Sequence, residues 1–200
     1  AKIQAHVKLE KLLIGYDFAL GKNRQGDAAY LADLGSEAGY ALQKFDSFLA
    51  GDAAISSSRV RDALVNGRVR DAHQLLGRPY ALRGSVIRGD GRGRKINVPT
   101  ANIQVHPEKI IPKNGVYVCW AILRGEKYRA LTNIGIRPTF TPDKEEANIE
   151  VHILDFHEEI YGKELKLDFI SYLRDEKKFG SVDELLNQIA EDIKKAKVIL

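Results

Sequence analysis

GSVIRGDGRGRKINVPTAN, residues 84–102, joins a strand-like start to a glycine-rich basic loop and then to Pro99, Thr100, Ala101 and Asn102. The sequence changes texture just before it. Up to Pro79 the chain reads as helical, with Val60, Leu64 and Val69, and then Ala72, Leu75 and Leu76, spaced to line helix faces. From there on, segments 80–88, 115–124, 127–134, 147–155 and 164–173 are rich in Val, Ile, Tyr and Phe, several alternate with polar residues, and Gly, Pro or Asn separates them. That pattern predicts an antiparallel β-barrel. Ser181 with Glu184 three residues on is a capping-box pattern, and Leu185, Ile189, Ile193 and Ala196 follow at helical spacing, so a closing helix should pack on the barrel. The class is therefore α+β, with a domain boundary near Arg78 and Pro79 that divides residues 1–78 from residues 79–200.

Within the opening stretch, Arg83, Arg88, Arg92, Arg94 and Lys95 alternate with Gly84, Gly89, Gly91 and Gly93. Glycines let backbone N–H groups turn toward an anion without a Cβ in the way, and the cations add charge, which suits a phosphate. The stretch is neither a Walker A loop nor a GxGxxG fingerprint. Local composition suits a solvated hairpin loop or an RNA-binding Arg/Gly stretch equally well. Against RNA, no aromatic residue lies between Arg83 and Lys95 to stack on a base.

The formal charge of +4 is a mild basic excess that fits phosphate ligands and does not by itself point to nucleic acid. Apolar runs are short, LLIG at 12–15 among the longest, far from the ~18 residues of a membrane span. The first residues, AKIQAHVKLEKLL, lack the apolar core and cleavage site of a secretory signal. Cys119 is the single cysteine, so no internal disulfide can form, and a reducing, cytoplasmic setting is expected. Cys119 is expected to pack in the core and Trp120 to lie on the barrel wall. The chain contains no Met, which fits removal of an initiator or a chain that begins part-way through a larger protein.

The order of motifs carries more than any one of them. The glycine-rich basic stretch ending in PTAN is followed by TNIGIRPTF at 132–140, by IEVHILDF at 149–156 with Tyr161 and Gly162 after it, and by YLRDEKKF at 172–179 before the terminal helix. This succession resembles the riboflavin kinase domain over essentially all of 79–200. The resemblance implies a Greek-key barrel that moves the γ-phosphate of ATP onto riboflavin to give FMN and ADP. It implies that Thr100 and Asn102 sit at the metal and the phosphates, Mg²⁺ first with Mn²⁺ or Zn²⁺ as alternatives, and that Gly89, Gly91, Gly93 and Arg94 shape the loop over the nucleotide. It makes Glu150 the general base and places Arg174, Glu176 and Phe179 at the flavin. Strand periodicity independently allows the first of these roles: Ile149, Val151 and Ile153 share one face of a strand, and Glu150 and His152 share the other. His152 is given no chemistry.

Residues 12–27, LLIGYDFALGKNRQGD, and 55–61, ISSSRVR, are similar to later motifs of the nucleotidyltransferase domain of bacterial bifunctional FAD synthetases. In that family the serines and arginines contact ATP phosphates at a helix start, and the resemblance implies that Ser57, Ser58, Arg59 and Arg61 are the vestigial phosphate ligands. A Ser run before a helix is otherwise an N-cap. The HxGH-type motif of the same domain is absent, because His6, His73, His106, His152 and His157 lack its spacing. FMN adenylyltransferase activity is therefore expected to be lost, roughly half of that domain to be missing, and residues 1–78 to be a truncated α/β segment open to self-association. No nucleic-acid or membrane partner is expected. The alternative to a kinase is a non-catalytic flavin- or nucleotide-binding remnant.

Overall fold

The computed structural model describes residues 6–89, 91, 93, 96–137 and 146–200. Compactness divides the chain into Ala1–Ile55 and Ser56–Leu200.

The first unit is a small βαβ arrangement. Strand β1 (Lys11–Ile14) pairs in parallel with β2 (Ala41–Lys44), and helix α1 (Ala28–Ala38) makes the crossover. Asp27 starts the helix by accepting from the Tyr30 N–H at 2.9 Å, and Gly39, in the left-handed region at φ 76°, ends it. Gly35 is required by packing, since a Cβ there would stand 2.7 Å from the Tyr40 carbonyl oxygen. A short hairpin of β3 (Leu49–Ala50) and β4 (Ala53–Ala54) completes the unit.

The second unit starts with two helices, α2 (Ser57–Val65) and α3 (Val69–Leu76). Leu64, Val69 and Ala72, all residues of the expected helix faces, join the core cluster that fills the barrel, so by compactness the helical pair groups with the barrel, although the sequence changes texture only at Pro79.

Six strands close the barrel: β5 (Tyr80–Ile87), β6 (Ala101–Val105), β7 (Gly115–Leu123), β8 (Glu126–Arg137), β9 (Glu146–Ile153) and β10 (Glu164–Arg174). They run in the spatial order β10-β5-β6-β9-β8-β7, and every pair is antiparallel. Strands β7, β8 and β9 form a meander, and β10 returns beside β7, which is the Greek-key arrangement. The β7–β8 hairpin turns through Arg124 at φ 52° and Gly125 at φ 88°, the two left-handed residues that a tight hairpin needs. Five of the strands match the alternating segments read from the sequence. The sixth, β6, starts on the last two residues of the stretch that reads as loop and was not expected, and it closes the barrel by bridging β5 to β9.

Alternation sorts the side chains. Leu82, Ile103, Tyr117, Ile134, Val151, Leu167 and Phe169 are among those that fill the interior. Cys119 is buried with them, and burial pushes its thiol up to about 12. Trp120, on the next position of β7, carries the Lys127 ammonium 4.1 Å from its ring centre. Helix α4 (Val182–Ile199) packs outside β7 and β8, where Val116, Val118, Leu131 and Leu154 meet Ala196. Ser181 caps it by accepting from the Glu184 N–H at 3.2 Å, and Glu184 accepts in turn from the Gly180 N–H at 2.9 Å. This is the expected reciprocal cap moved back by one residue.

Candidate active site

The polar residues gather on the outer face of the barrel, over β6, β9 and β8. On β9, Ile149, Val151 and Ile153 are buried in the core cluster, which puts Asn148, Glu150 and His152 on the opposite face. Register sets Glu150 between Asn102 of β6 and Asn133 of β8. Its carboxylate is fixed at both oxygens: Oε1 accepts from Asn148 Nδ2 at 2.7 Å, and Oε2 lies 3.5 Å from the Thr100 hydroxyl, at the outer limit of a hydrogen bond. Thr100 and Glu150 are fifty residues apart in sequence and meet only because β6 pairs with β9.

The glycines shape the approach to this pair. A Cβ on Gly89 would stand 2.0 Å from Asn102 Nδ2, so only glycine lets the loop lie on that side chain. At Gly93, a Cβ would be 2.3 Å from the Val98 carbonyl oxygen and 3.3 Å from Thr100 Oγ1, and the Gly93 carbonyl itself accepts from the N–H groups of Ile96 and Val98. Gly91 takes a left-handed φ of 68°. Arg94, with Arg92 and Lys95, lies outside the described residues. His152 turns out to anchor the segment: with its proton on Nδ1, it donates to the Pro99 carbonyl at 2.8 Å and ties the residue before Thr100 to β9.

Asn102 is 6% exposed, and its Oδ1 has no hydrogen-bond partner among the described residues. A buried carbonyl oxygen without a donor is costly unless something binds it. With the Thr100 hydroxyl close by in the chain, it offers the hard oxygen ligands that a small divalent cation takes, the rest of its shell coming from substrate phosphates and water. Among the described residues no group of three or more His, Cys, Asp or Glu side chains is built to hold a metal. The donor set therefore fits a metal brought in with a nucleotide better than one caged by protein.

Two clefts meet at Thr100. One, of about 260 Å³, is lined by Thr100, Glu150, Arg174, Glu176 and Phe179 together with apolar residues such as Leu185 and Ile189. The other, of about 290 Å³, is lined by Pro99, Thr100, Ala101, Phe156, His157 and Tyr161, among others. Arg174, Glu176 and Phe179, grouped by sequence resemblance, thus share one wall: the Arg174 guanidinium carbon is 5.9 Å from the Phe179 ring centre, and Glu176 Oε1 accepts from Asn133 Nδ2 at 3.0 Å. Gly135 makes room for that carboxylate, since a Cβ there would stand 2.5 Å from Glu176 Oε1. Arg88 flanks the second cleft, 5.5 Å from the Tyr161 ring centre.

Ser57, Ser58, Arg59 and Arg61 fall in the first turns of α2, where Ser56 caps the helix through the Arg59 N–H at 3.3 Å. None of the four lines either cleft. Three polar residues at the site escaped sequence reasoning. Asn133 and Asn148 sit at even register on the Glu150 face, a signal present once the strand pairing is known. Asp192 is an acid within the apolar stripe of α4, visible as i+3 from Ile189 and i−4 from Ala196.

The sequence model of the FAD synthetase family matches residues 1–59, and that of the riboflavin kinase family matches residues 76–200. A bifunctional riboflavin kinase/FMN adenylyltransferase of Bacillus subtilis is 39% identical over 192 residues, which cover 95% of this chain and 60% of that protein. The protein of the same description from Escherichia coli K12 is 37% identical over 188 residues, 94% of this chain and 59% of its own length. Among solved structures, that of a macrolide-efflux protein from Streptococcus pneumoniae is 35% identical and superposes with a TM-score of 0.81, over 92% of this chain and 60% of that one. The chain thus spans about 60% of the length of the curated relatives it matches. The kinase match takes in every barrel strand, both clefts and the closing helix, and on that match the chain belongs to the riboflavin kinase family.

Proposed function

We propose that the chain is an ATP-dependent riboflavin kinase, and the observation that carries this reading is Thr100 standing in the wall common to two clefts with the Glu150 carboxylate 3.5 Å from its hydroxyl. Phosphoryl transfer asks for in-line placement of a hydroxyl, neutralisation of the triphosphate and a base within reach. The cleft with Phe179, Leu185 and Ile189 suits a flat, largely apolar ring, so riboflavin is assigned there, and ATP to the cleft on the other side of Thr100. The 5′-hydroxyl of the ribityl chain gives its proton to Glu150 Oε2 as its oxygen bonds to the γ-phosphorus. The bond from that phosphorus to the bridging oxygen breaks, and ADP and FMN result. Asn148 holds the other carboxylate oxygen, so Glu150 faces the hydroxyl in one orientation. Asn102 Oδ1 and the Thr100 hydroxyl are the residues that would hold the divalent metal, whose contribution when bound is to offset the charge of the triphosphate.

Hard oxygen donors favour Mg²⁺, with Mn²⁺ and Zn²⁺ as the alternatives to compare. These 200 residues contain no H-x-G-H, so as it stands the chain is read as stopping at FMN. A cytoplasmic site of action fits a buried, unpaired Cys119, and among the described residues no helix is long and apolar enough to cross a membrane.

Incubation of the purified chain with riboflavin, ATP and each metal in turn, followed by chromatography of the flavins, tests the activity, the metal and the end product. FMN without FAD is the expected result. A folded chain that makes no FMN ends the kinase reading, and FAD among the products ends the statement that synthesis stops at FMN.

A further inference from the structure

The apolar stripe of α4 carries one acid. Leu185, Ile189 and Ala196 recur at helical spacing, and Asp192 falls on the same stripe at 2% exposure. Desolvating a lone carboxylate there would be costly, and Asp192 is fully engaged instead. Its Oδ2 accepts from Arg174 Nε at 2.9 Å and lies 2.8 Å from Arg174 Nη2, while its Oδ1 accepts from Gln188 Nε2 at 3.1 Å. Arg174 Nη1 donates to the Asp175 carbonyl at 3.1 Å, so every guanidinium nitrogen already has an acceptor. The Arg174 side chain is 15% exposed, and it lines the same cleft as Phe179 and Asp192.

An ion pair buried like this gives a fold little that a pair of apolar side chains of similar volume would not give. Stability therefore does not explain it. A guanidinium with three of its five N–H groups turned to protein acceptors, and its plane fixed by them, presents its flat cationic face to a ligand in one orientation. Beside the Phe179 ring, that face suits a planar fused heterocycle.

We propose that Asp192 is a positioning residue for flavin recognition: it locks the Arg174 guanidinium next to Phe179, so the cleft recognises the ring system and not the ribityl chain through this pair. The inference rests on the assignment of riboflavin to this cleft. It predicts that Asp192 acts only through Arg174.

Titration of wild type, Asp192→Asn, Arg174→Met and the double variant Arg174→Met with Asp192→Leu, read by quenching of flavin fluorescence, tests it. Riboflavin and lumichrome, the ring without its ribityl chain, serve as probes, and thermal melting checks each fold. Asp192→Asn is expected to weaken both probes by a similar factor, on the order of tenfold to a hundredfold, the size of loss seen when a group that orients a metal ligand is removed. Its KM for riboflavin should rise and its KM for ATP stay. The double variant should melt at or above the wild-type temperature and bind no more weakly than Arg174→Met alone. A double variant that binds riboflavin as tightly as wild type overturns the proposal, and so does a double variant whose loss is the sum of the two single losses. A wild type that binds riboflavin alongside an Asp192→Asn protein of equal affinity overturns this inference alone. A wild type that leaves both probes unquenched overturns the functional reading as well.

Discussion

The N-terminal unit and the barrel unit use similar residues to opposite effect. In the barrel, strand after strand sends Val, Ile, Leu and Phe into a common interior, and Tyr117, Leu82, Ile134 and Phe169 are fully buried. In Ala1–Ile55, Ile14, Leu31 and Tyr40 are buried, while Leu13, Phe45, Phe48 and Leu49 stand exposed, Phe48 at 77%. The difference follows from closure. A barrel pairs every strand with two neighbours and needs no further layer, whereas a parallel sheet is stable when both its faces are covered, and β1 with β2 offers two strands and one crossover helix. On the kinase reading, the side chains that hold a nucleotide and a flavin within fractions of an ångström stand on the closed, well-packed barrel.

The largest effect is expected at Glu150 on the barrel. If the chemistry sits on the outer face of the barrel, Glu150→Gln lowers the rate of FMN formation by about 10² to 10⁴ and leaves the melting temperature almost unmoved, because the side chain faces away from the core. Wild-type turnover in a folded Glu150→Gln protein would remove Glu150 from the mechanism. The next largest effect is on stability. Phe169 is fully buried, with its ring edge-on to Tyr117 at 5.2 Å between centres, and Phe169→Ala should cost about 3–5 kcal/mol in urea unfolding. Phe48→Ala, on a side chain already in solvent, should stay within about 0.5 kcal/mol. Similar losses from the two changes would mean that the units are equally well packed.

A pair of glycines sharpens the contrast between strain and function. Gly89→Ala drives a methyl group to 2.0 Å from Asn102 Nδ2, so the loop or the asparagine must move, and FMN formation should fall on the order of 10²-fold with little change in melting. Gly51 in the β3–β4 turn has φ 64° and no neighbour within 4 Å of a new Cβ. Gly51→Ala should cost about 1–2 kcal/mol of backbone strain and leave the rate alone. Kinetics and melting of both variants decide between these outcomes.

Much of the barrel was legible because alternation and turn residues are local signals. The inward set of β9 and the outward placement of Glu150 follow from period two alone, and the closing helix from its cap and stripe. Strand β6 was not legible, since ANIQV is short, begins with the last residues of a loop motif, and becomes a strand by pairing on both sides. The N-terminal unit was legible only as an α/β segment, through family resemblance; its residue pattern reads as helical and misses β1 to β4, which are two to four residues long and mostly exposed, so they carry almost no alternation. The site shows the same division. Residue types were readable within each motif, but the meeting of Thr100 with Glu150, the partners of Arg174 and the second cleft depend on pairings across fifty, eighteen and about sixty residues.

The smallest expected effect tests where the two units divide. Lys113 precedes β7, and its N–H donates to the Leu64 carbonyl of α2 at 3.0 Å, while Gly67, after that helix, packs on the side chains of Tyr172 and Lys113. Asp175 closes the cluster: Lys113 Nζ lies 2.7 Å and the Tyr172 hydroxyl 2.6 Å from its Oδ1. The lysine, and then the tyrosine, hold the Asp175 carboxyl below its ordinary range, and Asp175 raises Lys113 in turn. A depressed carboxyl contributes stability that is present above its unfolded value, near 3.9, and lost as the pH falls through the folded one; a raised lysine contributes below about 10.4 and loses it as the pH rises. Asp175→Asn should therefore lower the melting temperature slightly between about pH 4 and pH 10, with the two proteins converging at both extremes. Because both groups are exposed, high salt should shrink the gap as well. A variant whose melting curve tracks wild type at every pH would show that this cluster does not help hold α2 and α3 to the barrel, and the apolar contacts of Leu64, Val69 and Ala72 would then carry that attachment by themselves.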